Sequence, residues 1–273
     1  MSASVMPYER SKEERTVTPE PMLSMKGISK RFSLNRVLES IDLDVNRGEL
    51  VCLLGPSGCG KSTLLRIAIG LESADEGEVL VAGSRRFQPG RDVCMVFQSY
   101  GLFPWMRVRD NVAWGLKMQG LSKKLRLEAA DEQLRLVGLA DYSNHFPHQV
   151  SGGMQQRVGL ARAFANGAPL LLMDEPFAAI DAQSREKLQG ELLRMQETNR
   201  STIVFVTHSI DEAVFLSDRI VIMDKDPGRI KGIVRVDLPG PRWSNESRLS
   251  PKFGELSVEA RRVFSMVSAE EAS

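Results

Sequence analysis

Gly55, Gly60, Lys61 and Ser62, spaced Gly-x4-Gly-Lys-Ser within "GPSGCGKS", are residue types suited to holding a chain of phosphates. Glycines let backbone N–H groups turn inward around anionic oxygens, the lysine reaches the outer phosphates, and the serine hydroxyl can ligate Mg²⁺. A nucleotide site is therefore expected at Gly55, Pro56, Ser57, Gly58, Cys59, Gly60, Lys61, Ser62 and Thr63. A second stretch, "SGGMQQR" from Ser151 to Arg157, sets two glycines behind a serine where a helical pattern begins. Such a helix start bares N–H groups and the positive end of the helix dipole. One chain thus holds two places suited to an anion.

Carboxylates come from "LLLMDEP", which delivers Asp174 and Glu175 to the end of an apolar run. Open α/β sheets bind ligands beyond the carboxyl ends of their strands. Asp174 is expected to hold Mg²⁺ through its water shell, and Glu175 to orient and polarise an attacking water. Gln98 ends "VCMVFQ" and His208 ends "TIVFVTH". The amide suits a Mg²⁺ or water contact, and the imidazole can donate to a γ phosphate.

The elements that must position these groups follow from hydrophobic patterning. "LVCLLG", "VCMVFQ", "LLLMDEP", "TIVFVTH" and "RIVIMD" are continuous apolar runs, the signature of parallel strands buried on both faces. "IDLDV" (Ile41 to Val45) and "GEVLVAG" (Gly77 to Gly83) alternate, as half-buried antiparallel strands do. Helices are expected over 62–71, 155–165, 182–199 and 210–217, the last opened by a capping box, Ser209-x-x-Glu212. From Tyr100 to Val150 no strand is evident. Leu127, Ala130, Leu134 and Val137 recur there at helical spacing, with Gly138 as a stop, so a helical insertion is expected. Residues 1–21 read as a mobile leader, and the tail from 241 to 273 as holding one helix around 258–267.

Composition narrows the function classes. The chain has 273 residues, with 36 Lys and Arg against 35 Asp and Glu, so no overall field draws it to nucleic acid. Its apolar runs are too short to span a bilayer and no signal-peptide core is visible, which places it in the cytosol. Cys52, Cys59 and Cys94 lack paired metal spacing and read as small buried hydrophobes in a reducing compartment.

Taken in order, the Gly-rich loop, Gln98, "SGGMQQR", "LLLMDEP" and His208 resemble the ATP-binding subunits of ABC transporters, over residues 22 to about 237. The resemblance implies an α/β P-loop NTPase cassette. Its core sheet is mostly parallel, with an N-terminal antiparallel β subdomain and an inserted helical subdomain near 100–150, all within residues 22–240. It implies ATP and Mg²⁺ as cofactors, with Ser62, Gln98 and Asp174 around the metal, Glu175, His208 and Gln98 as catalytic groups, and Ser151, Gly152 and Gly153 as the signature. Asp181 would be the D-loop aspartate. Phe32 falls where the family stacks an aromatic on adenine, although by residue type alone it is equally a core aromatic.

In that family two subunits pair head to tail, each signature facing the other's P-loop, and this would explain the second anion site. Met154 and Val150 depart from the usual signature flanks, and Ala178 and Ile180 from the usual D-loop. "LFPWMRVRDNVAWGL" and "DPGRIKGIVRVDLPGPR" look like the nitrate, sulfonate, taurine and bicarbonate importer subfamily, and the short tail agrees. The implied partners are a second copy of the chain, an integral-membrane permease gripped near Leu102, Phe103, Pro104 and Trp105, and indirectly a periplasmic solute-binding protein. Those four residues could equally be subdomain core. The implied location is the cytoplasmic face of the plasma membrane, as a peripheral subunit. An exporter ATPase and a soluble ABC ATPase acting without a permease remain the alternatives.

Overall fold

The computed structural model describes residues 20–97, 101–178 and 180–269. β1 (Leu23–Phe32) and β2 (Asn35–Val45) pair antiparallel, after which β3 (Leu50–Leu54) leads through the Gly-rich loop into α1 (Lys61–Ile69). β4 (Glu76–Val81) and β5 (Ser84–Arg85) return to the first sheet, whose order is β2-β1-β4-β5. β6 (Val93–Val96) is followed by α2 (Val108–Met118), α3 (Lys123–Leu136), two single 3₁₀ turns and α4 (Gly152–Ala165). Then come β7 (Leu170–Asp174), α5 (Ala182–Asn199), β8 (Thr202–Thr207), α6 (Ile210–Leu216), β9 (Arg219–Met223) and β10 (Ile230–Arg235). α7 (Asn245–Leu249) and α8 (Pro251–Ala269) close the described chain.

The second sheet runs β10-β9-β3-β8-β7-β6, and all its pairs are parallel except β9 with β10. Its five parallel strands, β3, β6, β7, β8 and β9, are largely apolar because both faces are covered. Leu50, Cys52, Leu54, Met173, Phe205 and Ile222 point into one core, shared with α2 to α6 and α8. The alternating residues Val51, Leu53, Leu172, Val204, Val206 and Met223 point into the other, shared with α1 and the antiparallel sheet. This period-two partition between two cores is what continuous apolar runs require. All five expected parallel strands form, and the insertion between β6 and α4 is helical among its described residues.

Among the differences from expectation, two have a local cause in hydrogen bonding. The terminal helix begins at Pro251 rather than near Val258, because Ser250 Oγ accepts from the Phe253 amide and proline suits the first helical position. The capping box is half-formed: Ser209 Oγ accepts from the Glu212 amide at 3.3 Å, but the Glu212 carboxylate turns to Thr207 and Gln189. Thr207 Oγ1 takes the Ser209 amide instead, at 3.0 Å.

Candidate active site

The Gly-rich loop leaves β3 in the middle of the parallel sheet, and its last residue is the N-cap of α1. Gly60 sits at φ 95°, and a Cβ there would lie 2.5 Å from Leu38 Cδ2, so only glycine fits the turn. No side chain caps α1, which leaves its first N–H groups available to an anion. Lys61 is buried and donates to the carbonyls of Gly55 at 2.7 Å and Pro56 at 2.8 Å, with Cys59 Sγ at 3.6 Å. Its ammonium thus lies along the inner side of the loop.

Ser62, one residue further, donates from Oγ to Asp174 Oδ1 at 3.0 Å. Asp174 ends β7, two strands across from β3. Burial raises its pKa, the Ser62 hydroxyl opposes that, and neighbouring Glu175 adds to the rise. Two hard oxygen donors therefore converge beside the loop, a donor chemistry that fits Mg²⁺.

Glu175 takes a left-handed backbone, φ 46°, which costs a non-glycine residue about 1–3 kcal/mol. Several contacts impose it. The Glu175 amide donates to Val206 O at 3.1 Å, its carbonyl accepts from Ala178 N and from Gln156 Nε2, and Phe177 anchors the following loop against Phe205, ring centroids 5.5 Å apart. The effect is to aim the Glu175 carboxylate at His208, whose Nδ1 is 3.3 Å from Oε2. His208 is 66% exposed at the end of the adjacent strand β8. Phe177→Leu should loosen this loop and lower unfolding stability by about 1–2 kcal/mol, read as a fall in urea midpoint at unchanged slope.

Other expected site residues lie elsewhere. Ser151 caps α4 by accepting from the Met154 amide at 3.3 Å, and Gly152 and Gly153 form the first turn, half-buried. Among the described residues no hydrogen bond joins them to the Gly-rich loop of the same chain. Asp181 is exposed and caps α5; the Ser184 amide it accepts holds its carboxyl below the usual range. Phe32 is 45% exposed at the end of β1, with Lys30 Nζ 5.2 Å from its ring centroid, which rules out the core role. Gln98 lies outside the described residues.

A family model, ABC transporter, matches residues 38–178, more than half of the chain. The chain belongs to that family. It is an ABC-type ATPase. An uncharacterised ABC transporter ATP-binding protein of Methanocaldococcus jannaschii is 48% identical to it, covering 81% of this chain and 84% of that protein. An aliphatic sulfonates import ATP-binding protein of Bacillus cereus is 41% identical, covering 89% and 95%, and a nitrate import ATP-binding protein of Synechocystis 42% identical, covering 81% and 85%. A solved dimeric structure of a bacterial ABC transporter cassette superposes with a TM-score of 0.74 at 33% identity, covering 79% of this chain and 99% of that one.

Within this ABC cassette two residues matter that patterning did not single out. Gln156, the second glutamine of "SGGMQQR", is buried and donates to the Glu175 carbonyl at 3.3 Å, tying α4 to the backbone that carries the carboxylate of its own subunit. Asn111 in α2 is fully buried; its Oδ1 accepts from Phe103 N and its Nδ2 donates to the carbonyls of Phe103, Met106 and Arg107. One side chain thus shapes the loop from Phe103 to Arg107. That loop edges a groove of about 330 Å³ lined by Trp105, Arg107, Asp110, Trp114, Lys117 and Phe146. Leu102 packs on the core, whereas Trp105 is 72% exposed, so the two alternatives for this stretch divide between its residues. An asparagine at helical spacing carries no signal for such a role; only the tertiary loop reveals it. Among the described residues no helix is long and apolar enough to cross a membrane.

Proposed function

We propose that the chain is the ATP-hydrolysing subunit of an importer for a small anion such as nitrate, sulfonate, taurine or bicarbonate, with residues 22–240 as its cassette and the helices between about 100 and 150 as a subdomain. The observation that carries the catalytic half is the convergence of Ser62 with Asp174 and of Glu175 with His208 at the carboxyl ends of neighbouring strands. On ATP binding, Lys61 exchanges two neutral carbonyls for anionic phosphate oxygens, which are stronger acceptors. Ser62 and Asp174, with Gln98 as the third expected group, would hold Mg²⁺, which would supply positive charge beside the phosphates. Glu175 orients the attacking water and accepts its proton, and His208 holds the γ phosphate beside it. Phe32 is exposed where adenine could stack on it.

A second copy completes each site in this reading: Ser151, Gly152 and Gly153 present the N-terminus of α4 to the partner's γ phosphate, and Asp181 lies at the same seam. Support comes from Ser151, Gly152 and Gly153, which among the described residues make no hydrogen bond to the Gly-rich loop of their own chain, and from the dimeric cassette of similar fold. The groove at Trp105 would receive a cytoplasmic loop of the permease, seating the subunit on the inner face of the membrane, with a periplasmic binding protein delivering the solute. The importer relatives named above support this assignment.

The test is copurification of the tagged full chain from its native membranes. The expected result is a permease and a solute-binding protein, the latter binding one of these anions in a ligand screen. Recovery of a ribosome or a DNA-repair complex in place of a permease would overturn the importer assignment.

A further inference from the structure

His208 is exposed, yet the backbone on either side of it is held by a partly buried polar chain that ends in the C-terminal segment. Thr207 Oγ1 donates to Glu212 Oε2 at 2.5 Å and accepts the Ser209 amide at 3.0 Å, while Ser209 Oγ accepts the Glu212 amide. Glu212 Oε1 accepts from Gln189 Nε2 at 3.0 Å, and Gln189 Oε1 accepts from Arg248. The direction of the chain is dictated by its members. Arginine can only donate and a carboxylate can only accept, so the Gln189 amide, buried on α5, has one orientation that satisfies both its ends. Arg248 itself is seated on the Phe215 ring, 3.6 Å from its centroid. Its neighbour Ser247 is buried and donates to the carbonyls of Pro239 and Pro241.

We propose that Arg248 is a positioning residue for ATP hydrolysis: acting through Gln189 and Glu212, it fixes the turn that presents His208, and so makes the C-terminal segment part of the catalytic apparatus. Without Arg248 the buried Gln189 carbonyl oxygen loses its donor, the amide is free to rotate, and Glu212 loses a fixed partner. Thr207 and Ser209 then have a less rigid anchor, and the imidazole samples positions away from Glu175 and the γ phosphate. This rests on the reading of His208 as a γ-phosphate contact.

The test uses the full chain with Arg248→Met, which puts an apolar side chain of similar length where the guanidinium covers Phe215 and removes every donor. The expected result is a kcat lower by about 3- to 30-fold. The KM for ATP should stay within about twofold and the melting temperature within a few degrees. Exchange of the Ser209 amide should speed up by roughly tenfold or more while β8 stays protected. Arg248→Lys, which keeps a donor and a charge, should recover part of the loss. In a His208→Ala background, followed by single-turnover hydrolysis of radiolabelled ATP, Arg248→Met should add nothing, because the residue it positions is gone. A normal kcat in Arg248→Met, or the same fold-loss in the His208→Ala background as in the parent, would overturn the proposal alone. Normal turnover in His208→Ala by itself would overturn the role of His208 and the proposal with it.

Discussion

Glu175→Gln is expected to bind ATP as the parent does and to hydrolyse it about 10²- to 10⁴-fold more slowly, the range for losing a general base. Glutamine has nearly the same shape, and the left-handed backbone at this position is held by bonds that the substitution does not touch: the amide to Val206, and the carbonyl from Gln156 and Ala178. The Ser62–Asp174 pair and the lysine also remain. What changes is the group facing His208, which can no longer take a proton from water. Binding and chemistry should therefore separate in one variant. Titration with a fluorescent nucleotide gives the first and steady-state phosphate release the second, and ATP should now accumulate a dimer visible by gel filtration. Near-normal turnover would move the base elsewhere.

Much of this site was legible because its residues lie where strands end, and strands buried on both faces announce themselves as unbroken apolar runs. "LLLMD" and "TIVFVT" could be read as strands, and Asp174, Glu175 and His208 as their termini. The place of β3 between β8 and β9 was not readable, because there the sheet departs from chain order, whereas β7 and β8, consecutive in the chain, are neighbours in the sheet. The 3.3 Å approach of Glu175 and His208 depends on that adjacency. Lys61 donates to the carbonyls of Gly55 and Pro56 in its own loop, contacts that residue type alone does not specify. The Ser209-x-x-Glu212 pattern predicted a reciprocal cap, but the carboxylate has a stronger local rival in the Thr207 hydroxyl at the end of β8. The tail was under-read for a simpler reason. Ser250-Pro251 is a helix start in its own right, and Leu256 and Ala260, which α8 buries, begin the apolar stripe before Val263.

The head-to-tail pairing of the two anion sites yields a prediction that no single-site scheme shares. Gly153→Asp puts a side chain and a negative charge on the first turn of α4, where close approach to a γ phosphate needs neither. Two like charges about 4 Å apart repel by about 1 kcal/mol in water and about 4 at a partly buried site. The variant's own Gly-rich loop is unchanged and should still bind ATP. Place Glu175→Gln in every chain to stop turnover, then mix chains carrying Lys61→Ala with chains carrying Gly153→Asp. Their heterodimer has one sound composite site, with Lys61 from the Gly153→Asp chain and Ser151 and Gly153 from the Lys61→Ala chain; its other site is doubly defective. Each homodimer has two singly defective sites. ATP-induced dimerisation, followed by light scattering, should therefore be stronger in the mixture than in either variant alone. Equal dimerisation in all three samples would reduce "SGGMQQR" to an ordinary helix start, because defects acting within one chain cannot be relieved by mixing it with another defective chain.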